Sequence, residues 1–155
     1  MSKVAKRKRL IYVSRLLFII YLLFLLYFLL ISESMGRVAS DHYRYNLKPF
    51  AEINRFYNLF GTDFDLKAAF NIYGNILCFV PFGAYFTWIF KKQNRLFMKI
   101  FLMTLLFSLT IECIQLFCMI GIFDVDDLIL NTLGGIIGYV LCKIYCGISK
   151  MFKKG

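Results

Sequence analysis

Charge is scarce in this chain of 155 residues, and acid is scarcer still. Charged side chains make up 18%, with nine Asp and Glu against nineteen Lys and Arg. A soluble domain typically carries about 25%. Histidine occurs once, as His42, and the five cysteines (Cys78, Cys113, Cys118, Cys142 and Cys146) sit in apolar runs without C-x-x-C spacing. Those shortages argue against a zinc site and a disulfide framework, and leave the thiols as small apolar filler. There is no obvious nucleophile of the Ser–His or Cys–His kind. Internal repeats are absent too, as are low-complexity tracts beyond one Leu/Phe-rich run near the start. What is present is apolar: 60% of the residues are hydrophobic, and eighteen Phe, ten Tyr and one Trp supply the aromatics. With a mean hydropathy of +0.67, the chain is neither disordered nor an ordinary water-soluble globule. Its length allows one domain at most.

Four segments are long enough to cross about 30 Å of hydrocarbon, which takes roughly 20 apolar residues in a helix. They are Leu10–Ile31, Ala68–Phe90, Leu96–Gly121 and Leu128–Ile148. In lipid each must be helical, because every backbone group has to be satisfied within its own segment. A basic stretch precedes the first segment as in a signal peptide, with Ser32-Glu33-Ser34 as the place for cleavage. Its uninterrupted core, Leu16–Ile31, favours an uncleaved anchor instead. The predicted fold class is all-α, a polytopic membrane protein built as a four-transmembrane-helix bundle. Its parts are a basic N-terminus at 1–9, a first span at 10–31, an external loop at 32–67, three further spans over 68–148 and a tail at 149–155.

The net charge of +10 is informative through its placement. Lys3, Lys6, Arg7, Lys8, Arg9 and Arg15 lie at the N-terminus, Lys91, Lys92, Arg95 and Lys99 in the second connection, and Lys143, Lys150, Lys153 and Lys154 at the C-terminal end. No acid is interspersed among these fourteen. Arg37, Arg44, Lys48, Arg55 and Lys67 fall on the other side, with eight of the nine acids. The positive-inside rule therefore predicts both termini in the cytoplasm. Trp88, just ahead of Lys91, suits an interfacial belt. The basic excess is a topology signal with anionic inner-leaflet lipid as a secondary partner, and nucleic acid is not expected. Within the external loop, Pro49–Phe60 places Phe50, Ile53, Tyr57 and Phe60 at helical spacing. That pattern predicts a short amphipathic helix at the outer interface, with a plain surface loop as the alternative.

Three of the four spans carry polar groups that are expensive in hydrocarbon. Asn71 and Asn75 are four residues apart on one face of the second span. Thr104, Ser108, Glu112 and Gln115 form a stripe along the third. The fourth begins after Asp124, Asp126 and Asp127 and continues with Asn131. Converging stripes predict a polar pocket open to the outside. Glu112, an ionisable group within a span, is a functional candidate by default and suits general acid–base duty. The structural alternative is a Glu hydrogen-bonded to Gln115 and Asn75. Asn131, one turn into its helix, is the expected partner of Glu112. The three aspartates form a hard-oxygen set of the kind that holds Mg²⁺ or Ca²⁺, yet no compact calcium loop is present. The expected cofactor is none, with a divalent cation as the alternative, and Asp124 or Asp126 also serves as a helix cap. Pro81 is expected to loosen the second span, and Gly134, Gly135 and Gly138 to give the fourth a thin contact face.

These residues carry a family resemblance. Arg44-Tyr45-Asn46-Leu47-Lys48-Pro49-Phe50 resembles the opening motif of the VanZ-like family, and Asn71 to Gly83 (NIYGNILCFVPFG) its paired asparagines followed by Pro-Phe-Gly. Ser108, Glu112 and Gln115 match its S-x-x-x-E-x-x-Q pattern, and Phe123 to Gly135 (FDVDDLILNTLGG) its most recognisable segment. The likeness covers about 44–145. One departure is Ile122, where many members carry Arg, so a charge for an anionic group would come from Arg44 or Arg55. The resemblance implies a small bacterial integral membrane protein of the group named for low-level resistance to teicoplanin, a lipid-tailed glycopeptide.

Two readings of function stand nearly level. In the first, an enzyme hydrolyses or transfers a lipid head group at the outer leaflet. Glu112 would be its acid–base group, with Asp127 and Asn131 orienting substrate or water. Arg44, Asn71, Asn75, Ser108, Gln115 and Asp124 would hold the head group. In the second, the same pocket binds a membrane lipid, a lipid-linked cell-wall intermediate or the antibiotic without turnover. A small proton-coupled transporter ranks third, because the polar face is concentrated at one end and the basic bias opposes dual orientation.

Overall fold

The computed structural model describes residues 3–31, 41–59 and 66–151. Five helices follow one another: α1 (Lys3–Leu30), α2 (Ala51–Leu59), α3 (Leu66–Phe90), α4 (Leu96–Phe117) and α5 (Val125–Met151). Two two-residue strands, β1 (Tyr45–Asn46) and β2 (Phe123–Asp124), pair in parallel, with Tyr45 opposite Phe123 and Asn46 opposite Asp124. Four of the helices are long and apolar enough to cross a membrane: Lys8–Leu30, Ala69–Phe90, Leu96–Phe117 and Val125–Ser149. The chain is thus an all-α polytopic membrane protein, with one small β bridge that the sequence pattern did not indicate.

Where the observed helix ends differ from the expected ones, local chemistry gives the reason. The basic stretch joins α1, which starts at Lys3 rather than Leu10, since Lys and Arg are good helix formers. The helix expected to run to Gly121 stops at Phe117. Cys118 closes it, and Met119 turns the chain at a φ of 54°. A Cβ at Gly121 would meet the Gln115 side chain at 3.2 Å, so the chain folds back tightly there. The last helix starts at Val125, three residues before Leu128, because Asp124 caps it. The Asp124 Oδ1 accepts the backbone N–H of Asp126 at 2.8 Å, satisfying one of the free donors of the first turn.

The bundle is assembled around an α3–α5 contact that runs backbone to backbone. A Cβ added at Gly134 would lie 2.2 Å from the Ile76 carbonyl, one at Gly138 2.1 Å from that of Val80, and one at Gly83 1.9 Å from that of Gly135. The fourth span therefore does present the thin face expected of it, and Gly83 of α3 completes the contact. On the other side of α5, Thr104 of α4 covers Gly135.

Helix α1 lies outside this group and joins it through rings. Phe18 stacks on Tyr85 with centroids 3.7 Å apart, and Phe82 stacks on Phe107 at 4.9 Å, tying α3 to α4. Leu25 and Leu29 are buried against Phe79, Phe82 and Ile111, while Leu16, Leu17, Ile19, Ile20, Leu23 and Phe24 are exposed and face outward. One hydrogen bond fastens α1 midway: the Tyr21 hydroxyl donates to the Cys78 carbonyl at 2.5 Å. Pro81 sits three residues on, inside α3, and lacks the N–H that would bond the Leu77 carbonyl. The carbonyl that this proline leaves without its helical donor is next in the chain to the one Tyr21 uses.

Helix α2 falls within the expected Pro49–Phe60, but its contact face is different. Phe50 and Tyr57 are 52% and 79% exposed, whereas Phe56 meets the Tyr73 ring edge-on at 6.1 Å. Phe60 lies outside the described residues.

Candidate functional site

Helical periodicity puts Thr104, Ser108, Glu112 and Gln115 on one face of α4, and all four are buried. That face meets Asp124, just ahead of α5, Asp127 and Asn131 of α5 and, beyond it, Asn75 of α3; these four are buried as well. Eight polar side chains therefore share the interior of the bundle. Such groups are costly there unless they bond one another.

Their hydrogen bonds form successive levels. At the outermost, the Gln115 amide donates to the Leu29 carbonyl of α1 at 2.8 Å, capping a free end of that helix. Next, Glu112 Oε2 accepts the backbone N–H of Asp124 at 3.0 Å, binding the start of α5 to α4. One turn deeper, the Asn131 amide donates to Ser108 Oγ at 2.9 Å. Across on α3, the Asn75 amide donates to Asp127 Oδ1 at 2.5 Å and to Asn71 Oδ1 at 3.2 Å. Deepest, the Thr104 hydroxyl donates to the Ile100 carbonyl at 2.8 Å, within its own helix.

The expected residues are brought together, but several partnerships differ. Asn131 pairs with Ser108 and not with Glu112, because one turn into α5 brings it level with the turn of α4 below the Glu. Gln115 is turned toward α1, and Asn75 toward Asp127, so neither makes the bond to Glu112 that the structural alternative called for. Asn71 stands at the rim, half-buried. Arg44 is held beside the site by its backbone. Its carbonyl accepts the Phe123 N–H at 3.0 Å, so the β bridge lays it along the Ile122–Phe123 segment. Arg55, the other candidate cation, pairs at 3.6 Å with Glu52 on α2.

The three aspartates at the head of α5 take separate tasks. Asp124 caps α5 and also accepts from Asn46 Nδ2 at 3.1 Å. Asp126 reaches the other way, to α2, accepting the backbone N–H groups of Phe50 at 2.5 Å and Glu52 at 2.7 Å. Asp127 faces α3. Among the described residues no three carboxylate, thiol or imidazole groups converge as a metal site. Asp126 and Asn46 were missed as positioning residues. The signal for the first was available, since a single helix cap left two of the three acids unexplained.

The chemistry the site offers is acceptance. Asn75 Oδ1, Gln115 Oε1 and Asn131 Oδ1 are buried and take no hydrogen bond, although the –NH₂ of each amide is bonded. Alongside α5, Thr132 adds a buried hydroxyl in the same condition. It stands in the wall of a groove of about 440 Å³ between α4 and α5, otherwise lined by Phe101, Leu105, Val125, Leu128, Ile129, Leu133 and Ile136. An apolar groove therefore runs between α4 and α5, one residue from Asn131.

Protein VanZ of Enterococcus faecium is 40% identical over 67 residues, a match that spans 43% of this chain and 40% of that relative. No solved structure matches the chain. The VanZ/LLP1 family model matches residues 18–146, from within α1 almost to the end of α5. A match of that extent, on a four-span bundle with the polar stripes brought together, makes this chain a member of the VanZ/LLP1 family.

Proposed function

We propose that this multi-pass membrane protein binds the polar head group of a lipid or lipid-linked molecule in the cluster around Glu112, Asp127 and Asn131. The observation that carries the reading is the set of three buried acceptor oxygens on Asn75, Gln115 and Asn131. Desolvating an acceptor without a partner costs about 1–3 kcal/mol. A ligand rich in donors, such as hydroxyl or ammonium groups, offsets that cost, and a bare phosphate does not. The groove lined by Leu128, Leu133 and Thr132 supports a lipid in particular, since an acyl or prenyl chain fits its apolar wall while the head lies toward Asn131.

In this reading Asn71, Ser108 and Asp124 orient the head group or its surroundings, and Arg44 meets an anionic part of the ligand. The same reading sets both termini in the cytoplasm, supported by the fourteen basic residues that the sequence groups apart from the acids, and opens the cluster to the outer leaflet. In the same reading Glu112 would move a proton if the bound head group is turned over. By family membership, the ligand belongs to the envelope chemistry on which teicoplanin resistance depends.

The test purifies the wild type and Glu112→Gln in detergent from cells grown with radiolabelled lipid precursors. Gln keeps an acceptor for the Asp124 N–H and removes only the charge. The wild type is expected to retain one head-group class above its share of the membrane, and Glu112→Gln to lose that retention. Product that forms only with the wild type would assign turnover. Retention at bulk composition by the wild type, or equal retention in both without turnover, overturns the reading. In cells, expression is expected to raise the teicoplanin concentration that stops growth, and the Glu112→Gln variant to leave it unchanged.

A further inference from the structure

The end of the bundle remote from Glu112 holds a second, chemically opposite site. There α3 and α5 part around a cleft of about 630 Å³, where Lys91 and Lys92, just past α3, face Lys143 of α5, with Trp88, Tyr145 and Ser149 in the walls. Among the described residues no acid lines it. None is near in the chain either: five of the nine acids lie between α1 and α3, and the other four between Glu112 and Asp127, at the far ends of α4 and α5. Aromatic faces hold two of the ammonium groups in place of carboxylates. The Lys91 Nζ stands 5.8 Å from the Trp88 ring centroid, and the Lys143 Nζ 6.0 Å from that of Tyr139.

Three like charges facing one cleft repel one another, and an anion placed between them relieves that repulsion. The depth of the cleft indicates which anion. The apolar spans of α3 and α5 end here, with Ile89, Leu141, Ile144 and Ile148 exposed on their outer faces, so a phosphate in the cleft can keep its acyl chains against those residues. Basic pockets between spans at a membrane surface are suited to anionic head groups. We propose that this cleft binds the phosphate of an anionic membrane lipid of the phosphatidylglycerol type. The proposal is independent of the carboxyl cluster and of what that cluster binds.

The experiment is native mass spectrometry of the full chain in detergent. The protein is offered phosphatidylglycerol, phosphatidylcholine with the same acyl chains, or inorganic phosphate. The wild type is expected to retain phosphatidylglycerol about tenfold over phosphatidylcholine, and the variant Lys91→Gln/Lys92→Gln/Lys143→Gln to retain both alike. Lys99→Gln serves as the control, because Lys99 bonds Gln93 and does not line the cleft. Should the triple variant melt early in phosphatidylcholine, Lys143→Gln alone is expected to show a partial loss of the same preference. Equal retention of the two lipids by the wild type overturns the proposal. So does a folded triple variant that keeps the preference, an equal loss in Lys99→Gln, or stabilisation by inorganic phosphate in place of lipid.

Discussion

Asp126, in the first turn of α5, caps a different helix: its Oδ2 accepts the backbone N–H of Glu52 at 2.7 Å, at the start of α2. With the Phe50 N–H on Oδ1, both carboxylate oxygens are engaged, and the side chain is fully buried. A carboxylate there also meets the positive end of the α2 dipole. This contact, the parallel pairing of Tyr45–Asn46 with Phe123–Asp124 and the Asn46–Asp124 side-chain bond all hold the Arg44 segment to the bundle. Asp126→Ala is expected to cost about 1–3 kcal/mol, since two donors lose a charged acceptor. Hydrogen exchange locates the loss: the amides of Ala51–Leu59 should exchange faster, while those of Leu66–Phe90 stay protected.

The α3–α5 contact yields a paired prediction about glycine. Gly134→Ala puts a Cβ 2.2 Å from the Ile76 carbonyl, and rigid backbone on both sides leaves separation of the helices as the only relief. A cost above about 3 kcal/mol and loss of folded protein in detergent are expected. Gly147→Ala, on the same helix with nothing within 4 Å, is expected to be neutral or to gain up to about 1 kcal/mol. Melting temperatures of the two variants, measured side by side, check both signs.

Tyr21 gives the measure of how α1 is held. Tyr21→Phe keeps the ring packing and removes only the hydroxyl that donates to the Cys78 carbonyl. The expected loss is about 1 kcal/mol. Pro81→Ala gives back the N–H for the Leu77 carbonyl and leaves the Cys78 carbonyl as it was, so the same hydroxyl should be worth the same there to within about 0.5 kcal/mol. A double-mutant cycle measured by thermal unfolding reads the difference as a coupling energy.

What the sequence made legible follows from helical period. Four polar residues at spacings of four, four and three had to share one face of α4, and two glycines four apart had to share one face of α5. Period fixes a face but does not name the neighbour. Gln115 sits on the expected stripe yet turns to the Leu29 carbonyl, because α1 ends beside it. Asp126 serves a helix whose first residue is 75 positions away, through a bond set by the path of the loop. The two-residue β bridge carries no pattern of its own, since two residues cannot display alternation.

Asn131 separates stability from ligand capture more cleanly than any other position. Its amide makes one bond, to Ser108 Oγ, while its oxygen is buried without one. Asn131→Leu, which keeps the branched side-chain skeleton in a bulkier form, forfeits the bond, worth about 1 kcal/mol, and also removes a desolvated acceptor that costs a similar amount. Ser108 can turn its hydroxyl back to a carbonyl one turn earlier in α4. The melting temperature is therefore expected to change little, by the equivalent of at most about 1 kcal/mol. Retention of the head group, by contrast, should fall about tenfold, because a donor on the ligand loses its acceptor in a dry site. Thermal unfolding and lipid retention are measured on the same preparation. A large drop in stability would make Asn131 part of the scaffold, and unchanged retention in a stable variant would remove it from the site.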